Sequence, residues 1–277
     1  MKLLPLVAVL LVFQGTDNQP NEPYRIADNI YYVGASDIAS YLVTTPSGHV
    51  IIDAGYESTV PIIQANVEKL GYKLGDVKYL VNTQAHFDHA AGFASLKALS
   101  GAQLWISEQD AATIEAGGRN DPVLKGAENH FPPAKVDRRL HDGDSVRVGN
   151  VTLTARLTPG HTRGCTTWTL DARDRDRTYK VVVLGGLQIL PGTRLTGPAA
   201  SWPTIETDYQ RTFEVLEHMP VDIFLGAHRA YYDGAKKADR LRANPGGPNP
   251  FVDPDGFRAL VASAKKRFNE LVAQEKQ

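Results

Sequence analysis

The sequence predicts an α/β fold in which helices cover the outer faces of packed sheets. Two observations carry this expectation. Each half of the chain runs from strand-like to helix-like segments, with the second half opening near Asp142. Short β-rich runs bounded by turn residues alternate with stretches whose apolar residues recur at helical spacing. A chain of 277 residues with 42% hydrophobic residues can bury a substantial core. Its 30 basic and 31 acidic residues leave no basic footprint for nucleic acid, so small molecules are the expected partners.

At the N-terminus, the apolar run Leu3–Phe13 is too short for a bilayer core, which needs about 20 helical residues. It suits an export signal over residues 1–20, so the chain is expected in the periplasm or outside the cell. NIYYVG and SYLVTT then read as strands, TTPSGHV as a turn, and VIIDAG as a further strand. Val60, Ile63, Val67 and Leu70 mark a helix ended by Gly71. VKYLVN is a short buried strand, GFASLKAL a helix, QLWIS a strand and EQDAATIEAGG a helix. Beyond Asp142, SVRVGNVTLTARL and CTTWTLDARDRDRTYKVVVLGG read as hairpins turning at Gly149-Asn150 and at DRDR. TDYQRTFEVLEHM, VDIFLGAH and GFRALVASAKKRFNELVAQ follow as helix, strand and amphipathic helix, with NPGGPNP as a surface loop before the last. The only cysteine, Cys165, excludes an intrachain disulfide.

The stretch NTQAHFDHAAG, after a strand and before a helix, places Gln84, His86, Asp88 and His89 within six positions. It is expected to be a loop at the carboxyl edge of a sheet, where functional loops gather. In an extended chain Gln84, His86 and Asp88 share one side and His89 steps away. Imidazoles with a carboxylate suit Zn²⁺, and two more histidines end strands: His161 in LTPGHTRGC and His228 in IFLGAH. His49, His130, His141 and His218 fall in turns or on an exposed helix face and are not assigned to metal.

These residues resemble the metallo-β-lactamase superfamily, whose motif is H-x-H-x-D-H with later histidines on separate loops. The resemblance runs from about Asn29 to the end and includes VIIDAGYES, LTPGHT and LGAH. It implies an αβ/βα sandwich of two packed mixed sheets, a single domain over 21–277 with halves of about 24–141 and 142–277, and a metal pair between them. Many hydrolases of that family bridge the metals with an Asp, where this chain has Gly185-Gly186; two β-lactamase subclasses use a Cys slightly further on, where it has Leu187. The chain therefore resembles the third β-lactamase subclass, in the branch with Gln for the first His ligand. That resemblance implies two Zn²⁺, one on Gln84, His86 and His161 and the other on Asp88, His89 and His228. The neutral amide of Gln84 is the weaker ligand, so its site is expected to be the weaker one.

The implied reaction is hydrolysis of the β-lactam amide by a zinc-activated water, with Asp88 orienting the nucleophile, and hence antibiotic resistance. Asp53 is either a partner that orients a ligand imidazole or a helix N-cap. The group holding the substrate carboxylate is not identified; Arg194 is a candidate, although a loop arginine is more often surface. The alternative is a metal-dependent hydrolase of another ester, lactone or thioester on the same fold. A zinc-binding protein without catalysis is a third reading. The S-x-x-K string Ser263–Lys266 lies in the terminal helix without the other serine-enzyme motifs and is set aside.

Overall fold

The computed structural model describes residues 16–174 and 176–277; the Leu3–Phe13 run lies outside them. Twelve strands among the described residues form two sheets. The first contains β1 (Tyr24–Ala27), β2 (Ile30–Tyr32), β3 (Tyr41–Thr45), β4 (Gly48–Ile52), β5 (Val77–Val81), β6 (Gln103–Ser107) and β7 (Arg138–Leu140), side by side in chain order. β1 to β4 form an antiparallel meander, whereas β4 to β7 run parallel. Parallel neighbours need crossovers. These contain α1 (Val60–Lys69), α2 (Phe87–Ala90) with α3 (Phe93–Ser100), and α4 (Glu108–Glu115).

The chain enters the second sheet between Leu140 and Ser145. β8 (Ser145–Val148), β9 (Val151–Leu157), β10 (Thr166–Asp174) and β11 (Arg177–Leu184) form an antiparallel meander, and α5 (Ile205–Glu217) leads to β12 (Ile223–Gly226) parallel to β11. The sheet order is β12-β11-β10-β9-β8. α6 (Gly234–Ala243) and α7 (Pro254–Glu275) complete the chain.

Strand alternation divides the core. Val43, Val50, Ile52 and Val81 belong to the cluster that includes Leu153, Trp168, Val181 and the α5 and α7 residues Phe213 and Phe268. Their neighbours Leu42, Ile51 and Leu80 pack instead with Ile63, Val67, Phe93, Leu96 and Ile114 of the first-half helices. The architecture is the αβ/βα sandwich of two mixed sheets with outer helices.

Two local expectations change. Residues 84–89 are not one extended loop: α2 starts at Phe87, and the His86 carbonyl accepts the N–H groups of His89 and Ala90 at 3.0 and 2.9 Å. His86 is still extended, and a helical turn then presents Asp88 and His89. His49 is not in a turn but in β4, buried with its ring edge-on to Tyr72 at 5.0 Å. No described helix is long and apolar enough to cross a membrane.

Candidate metal centre

The potential ligands converge at the carboxyl ends of strands from both sheets. Gln84 and His86 follow β5, Asp88 and His89 lie in α2, His161 follows β9 and His228 follows β12. Gln84, His86, His89 and His161 are buried. His86 Nδ1 and His161 Nε2 face one another at 3.1 Å, and His89 Nε2 and His228 Nε2 at 3.2 Å. Asp88 Oδ2 lies 3.2 Å from His89 Nε2 and 3.5 Å from His228 Nε2.

The opposite ring atoms show which nitrogens are free to bind. His161 Nδ1 is 2.6 Å from the Gln188 carbonyl, which can only accept, so Nδ1 carries hydrogen and Nε2 presents its lone pair. Asp121 Oδ2 faces His86 Nε2 at 3.4 Å, beyond hydrogen-bond reach, and its charge favours the hydrogen on Nε2 and the lone pair on Nδ1. Thus two lone pairs point at each other across 3.1 Å, an arrangement that repels unless a proton or cation lies between them. Burial and the neighbouring His86 push His161 down to about 3, which keeps its Nε2 lone pair available at neutral pH. Gln84 Oε1 is buried without a hydrogen-bond partner. An amide oxygen and two imidazole lone pairs fit a cation.

The other set also has carboxylates behind its imidazoles. His228 Nδ1 meets Asp37 Oδ2 at 2.9 Å, while Asp37 Oδ1 accepts the Ala230 N–H at 2.8 Å. His89 Nδ1 faces Asp53 Oδ2 at 3.4 Å. Burial opposes the charge on Asp88, but His89 and His228 overcome it and hold the carboxyl well below its usual range. Conversely, burial opposes protonation of His89, yet Asp88 and Asp53 raise it to about 10. Asp88, His89 and His228 form a compact group able to hold a metal ion through one atom each. Metals compete with protons for these lone pairs.

Asp53 is not the N-cap of α1, whose preceding residue is Thr59. It sits at φ 62°, and its carboxylate accepts the N–H and hydroxyl of Thr83, each at 2.6 Å, while facing His89. Arg194 is exposed, with its N–H donated to Ser201 Oγ at 3.0 Å; the following two N–H groups meet Glu275 at the end of α7. These contacts do not bring it to the metal cluster. Asp37, Asp121 and the Gln188 carbonyl were missed by sequence reasoning, because a lone Asp or a backbone carbonyl carries no spacing signal.

The two glycines after β11 shape the floor. A Cβ at Gly186 would stand 2.1 Å from Cδ2 of His161, and one at Gly185 would stand 2.5 Å from Cys165 Sγ. Burial pushes the Cys165 thiol up to about 12, and its sulfur accepts the Gly186 N–H at 3.1 Å, a packing role rather than a ligand's. Leu187, beside them, is buried.

Among solved structures, the chain is similar to the native FEZ-1 metallo-beta-lactamase from Legionella gormanii. Identity is 40%, TM-score 0.90, and coverage 94% of this chain and 98% of that one. BJP-1, a subclass B3 metallo-beta-lactamase of Bradyrhizobium japonicum, gives 35% identity and TM-score 0.89, over 96% and 98% of the two chains. Among curated proteins, the human mitochondrial persulfide dioxygenase ETHE1 is 33% identical over 138 residues, 50% of this chain and 44% of that protein. A hydroxyacylglutathione hydrolase of Rhodopseudomonas palustris is 29% identical over 127 residues, 46% of this chain and 41% of that protein. The chain thus spans less than half the length of those curated relatives. With the family model described as "Metallo-beta-lactamase superfamily" matching residues 33–175, and two lactamase structures matched over nearly the whole described fold, the chain belongs to the metallo-beta-lactamase superfamily.

Proposed function

We propose that the chain is a zinc-dependent β-lactamase, with one metal on Gln84, His86 and His161 and a second on Asp88, His89 and His228. The observation that carries this reading is the contact between Gly186 and His161. With a Cβ there only 2.1 Å from the imidazole, a carboxylate at this position, as in many ester and thioester hydrolases of the family, would displace His161. Near-full-length similarity to lactamases supports the same choice, whereas the matches to other activities cover about half the chain.

Zinc in this ligand set would supply Lewis-acid activation of water and stabilise charge as the amide opens. The chain's own groups do the positioning. Asp121 and the Gln188 carbonyl orient His86 and His161, while Asp37 and Asp53 orient His228 and His89. Asp88, anionic at neutral pH, can accept a hydrogen bond from the attacking water and fix its direction. Such groups act where charge develops in the transition state, and amide cleavage needs that help because an amine anion leaves poorly.

A second reading, hydrolysis of another ester, lactone or thioester, is favoured by the similarity to hydroxyacylglutathione hydrolase. A panel of penicillins, cephalosporins, carbapenems, lactones and thioesters, assayed with zinc and with chelator, separates the two. We expect zinc-dependent opening of at least one β-lactam class, abolished by chelation and insensitive to serine-acylating reagents or Ser263→Ala. Cleavage of lactones or thioesters with no β-lactam opened would replace the first reading by the second.

A further inference from the structure

The loop that carries His161 is clasped from the other half of the molecule. Asp110 lies in the first turn of α4, where a carboxylate commonly serves its own helix end. Here both oxygens leave the helix. Oδ2 accepts the Thr162 hydroxyl at 2.8 Å, and Oδ1 accepts the Gly164 N–H at 2.7 Å. Ser107, immediately before α4, donates its hydroxyl to the Gly164 carbonyl at 2.6 Å. All four groups are buried. The approach is close: a Cβ at residue 164 would stand 2.2 Å from Ser107 Oγ and 2.5 Å from the Asp110 nitrogen.

From this geometry we propose that Asp110 is a positioning residue for the metal site, holding His161 opposite His86 through Thr162 and Gly164. His86 follows a strand of the first sheet and His161 a strand of the second, so their 3.1 Å approach requires the halves to be held in register beside them. The clasp supplies that register one residue from His161. Loss of the carboxylate leaves a buried hydroxyl and N–H without their acceptor, and the loop moves to find others. Gln188 still restrains His161 through Nδ1, so the effect is a shift of the ligand and not its loss. The set containing Asp88, His89 and His228 does not depend on this loop.

The inference rests on Gln84, His86 and His161 acting as one ligand set, and the test distinguishes the two claims without any substrate. Zinc affinity is measured site by site by chelator competition on the folded full chain, with His161→Ala identifying the step that belongs to this set. Asp110→Ala and the near-isosteric Thr162→Val are each expected to weaken that step about tenfold, the low end of what orienting partners contribute. The other step should stay within about twofold. Thr162→Ser, which keeps the hydroxyl, should hold the wild-type affinity, and the Asp110→Ala/Thr162→Val double variant should be no weaker than Asp110→Ala alone. Equal weakening of both steps, or a lowered melting temperature with both affinities intact, would overturn the positioning role. If His161→Ala leaves both steps unchanged, the ligand-set reading fails and the clasp fails with it.

Discussion

Gln84 distinguishes the two proposed metal sites more than any other residue. An amide oxygen offers no charge and a weaker zinc bond than imidazole, so chelator should strip zinc in two steps, the Gln84 site first. Gln84→His should tighten the weaker step while leaving the fold intact; simultaneous release in both proteins would remove the assignment. Gly186 bears on the reaction through space alone. Gly186→Asp, which would imitate the bridging carboxylate of other hydrolases, forces Cβ into the His161 ring. Weakened zinc binding is expected instead of a new esterase, read by metal stoichiometry beside ester turnover. Asp88→Asn should lower turnover by orders of magnitude, far more than its loss of folding stability accounts for, since it removes both a proposed ligand and the group proposed to direct water. Near-normal turnover would overturn the mechanism.

At the scale of an element, α7 shows how charge and capping join one helix to the body. Asp253 caps it by accepting the Gly256 N–H at 2.9 Å, and its other oxygen pairs with Lys237 at 2.6 Å. The Lys237 side chain is only 3% exposed, so its ammonium depends on that partner. Burial opposes ionisation of Asp253, but Lys237 and the Gly256 N–H prevail and hold it below the ordinary carboxylate range. A depressed carboxyl stabilises the fold above its unfolded pKa, and that contribution disappears as pH falls through the folded value. Asp253→Asn keeps a cap and loses the charge. It should cost about 1–2 kcal/mol at pH 7, less than a fully buried pair because a third of Asp253 is solvated. Urea unfolding at pH 7 and near pH 3 checks this: the gap between wild type and variant should narrow in acid. α2 also belongs at this scale, since its one turn places Asp88 and His89 where an extended loop would have separated them.

At the scale of the molecule, the centre exists because two sheets are locked together around it. Tyr41 of β3 reaches the second sheet, where its hydroxyl lies 2.6 Å from the Gly226 carbonyl and 3.0 Å from the Tyr232 hydroxyl. Trp168 of β10 returns the link, donating Nε1–H to the Asn82 carbonyl at 2.7 Å, two residues before Gln84. These ties hold His86 and His161, and His89 and His228, at contact distance although each pair is far apart in sequence. We also propose that the chain is exported to the periplasm or beyond, on the strength of the Leu3–Phe13 run. N-terminal sequencing of periplasmic protein should show loss of about 15–20 residues. An intact Met1 on soluble cytosolic protein would remove the idea.

What the sequence determined by itself was local and periodic. Short apolar β-runs at SYLVTT and VKYLVN, helical spacing at Ile63 and Val67, and a Gly-Asn turn between two β-runs are written within a few residues of themselves, because backbone geometry acts over that range. The six potential ligands were legible because a cluster of ligand-type residues and two later histidines follow β-runs, whereas the missing bridge at Gly185-Gly186 was legible only through the family resemblance. Tertiary structure alone decided what orients them. Asp37 meets His228 across 191 positions, and Asp121, beyond α4, faces His86 before α2. The Gln188 carbonyl, which selects the His161 tautomer, is an atom every residue has. Whether Asp53 capped a helix or faced an imidazole also waited on the fold. A carboxylate's partner is chosen by the packing of distant strands, and one-dimensional spacing does not encode that distance.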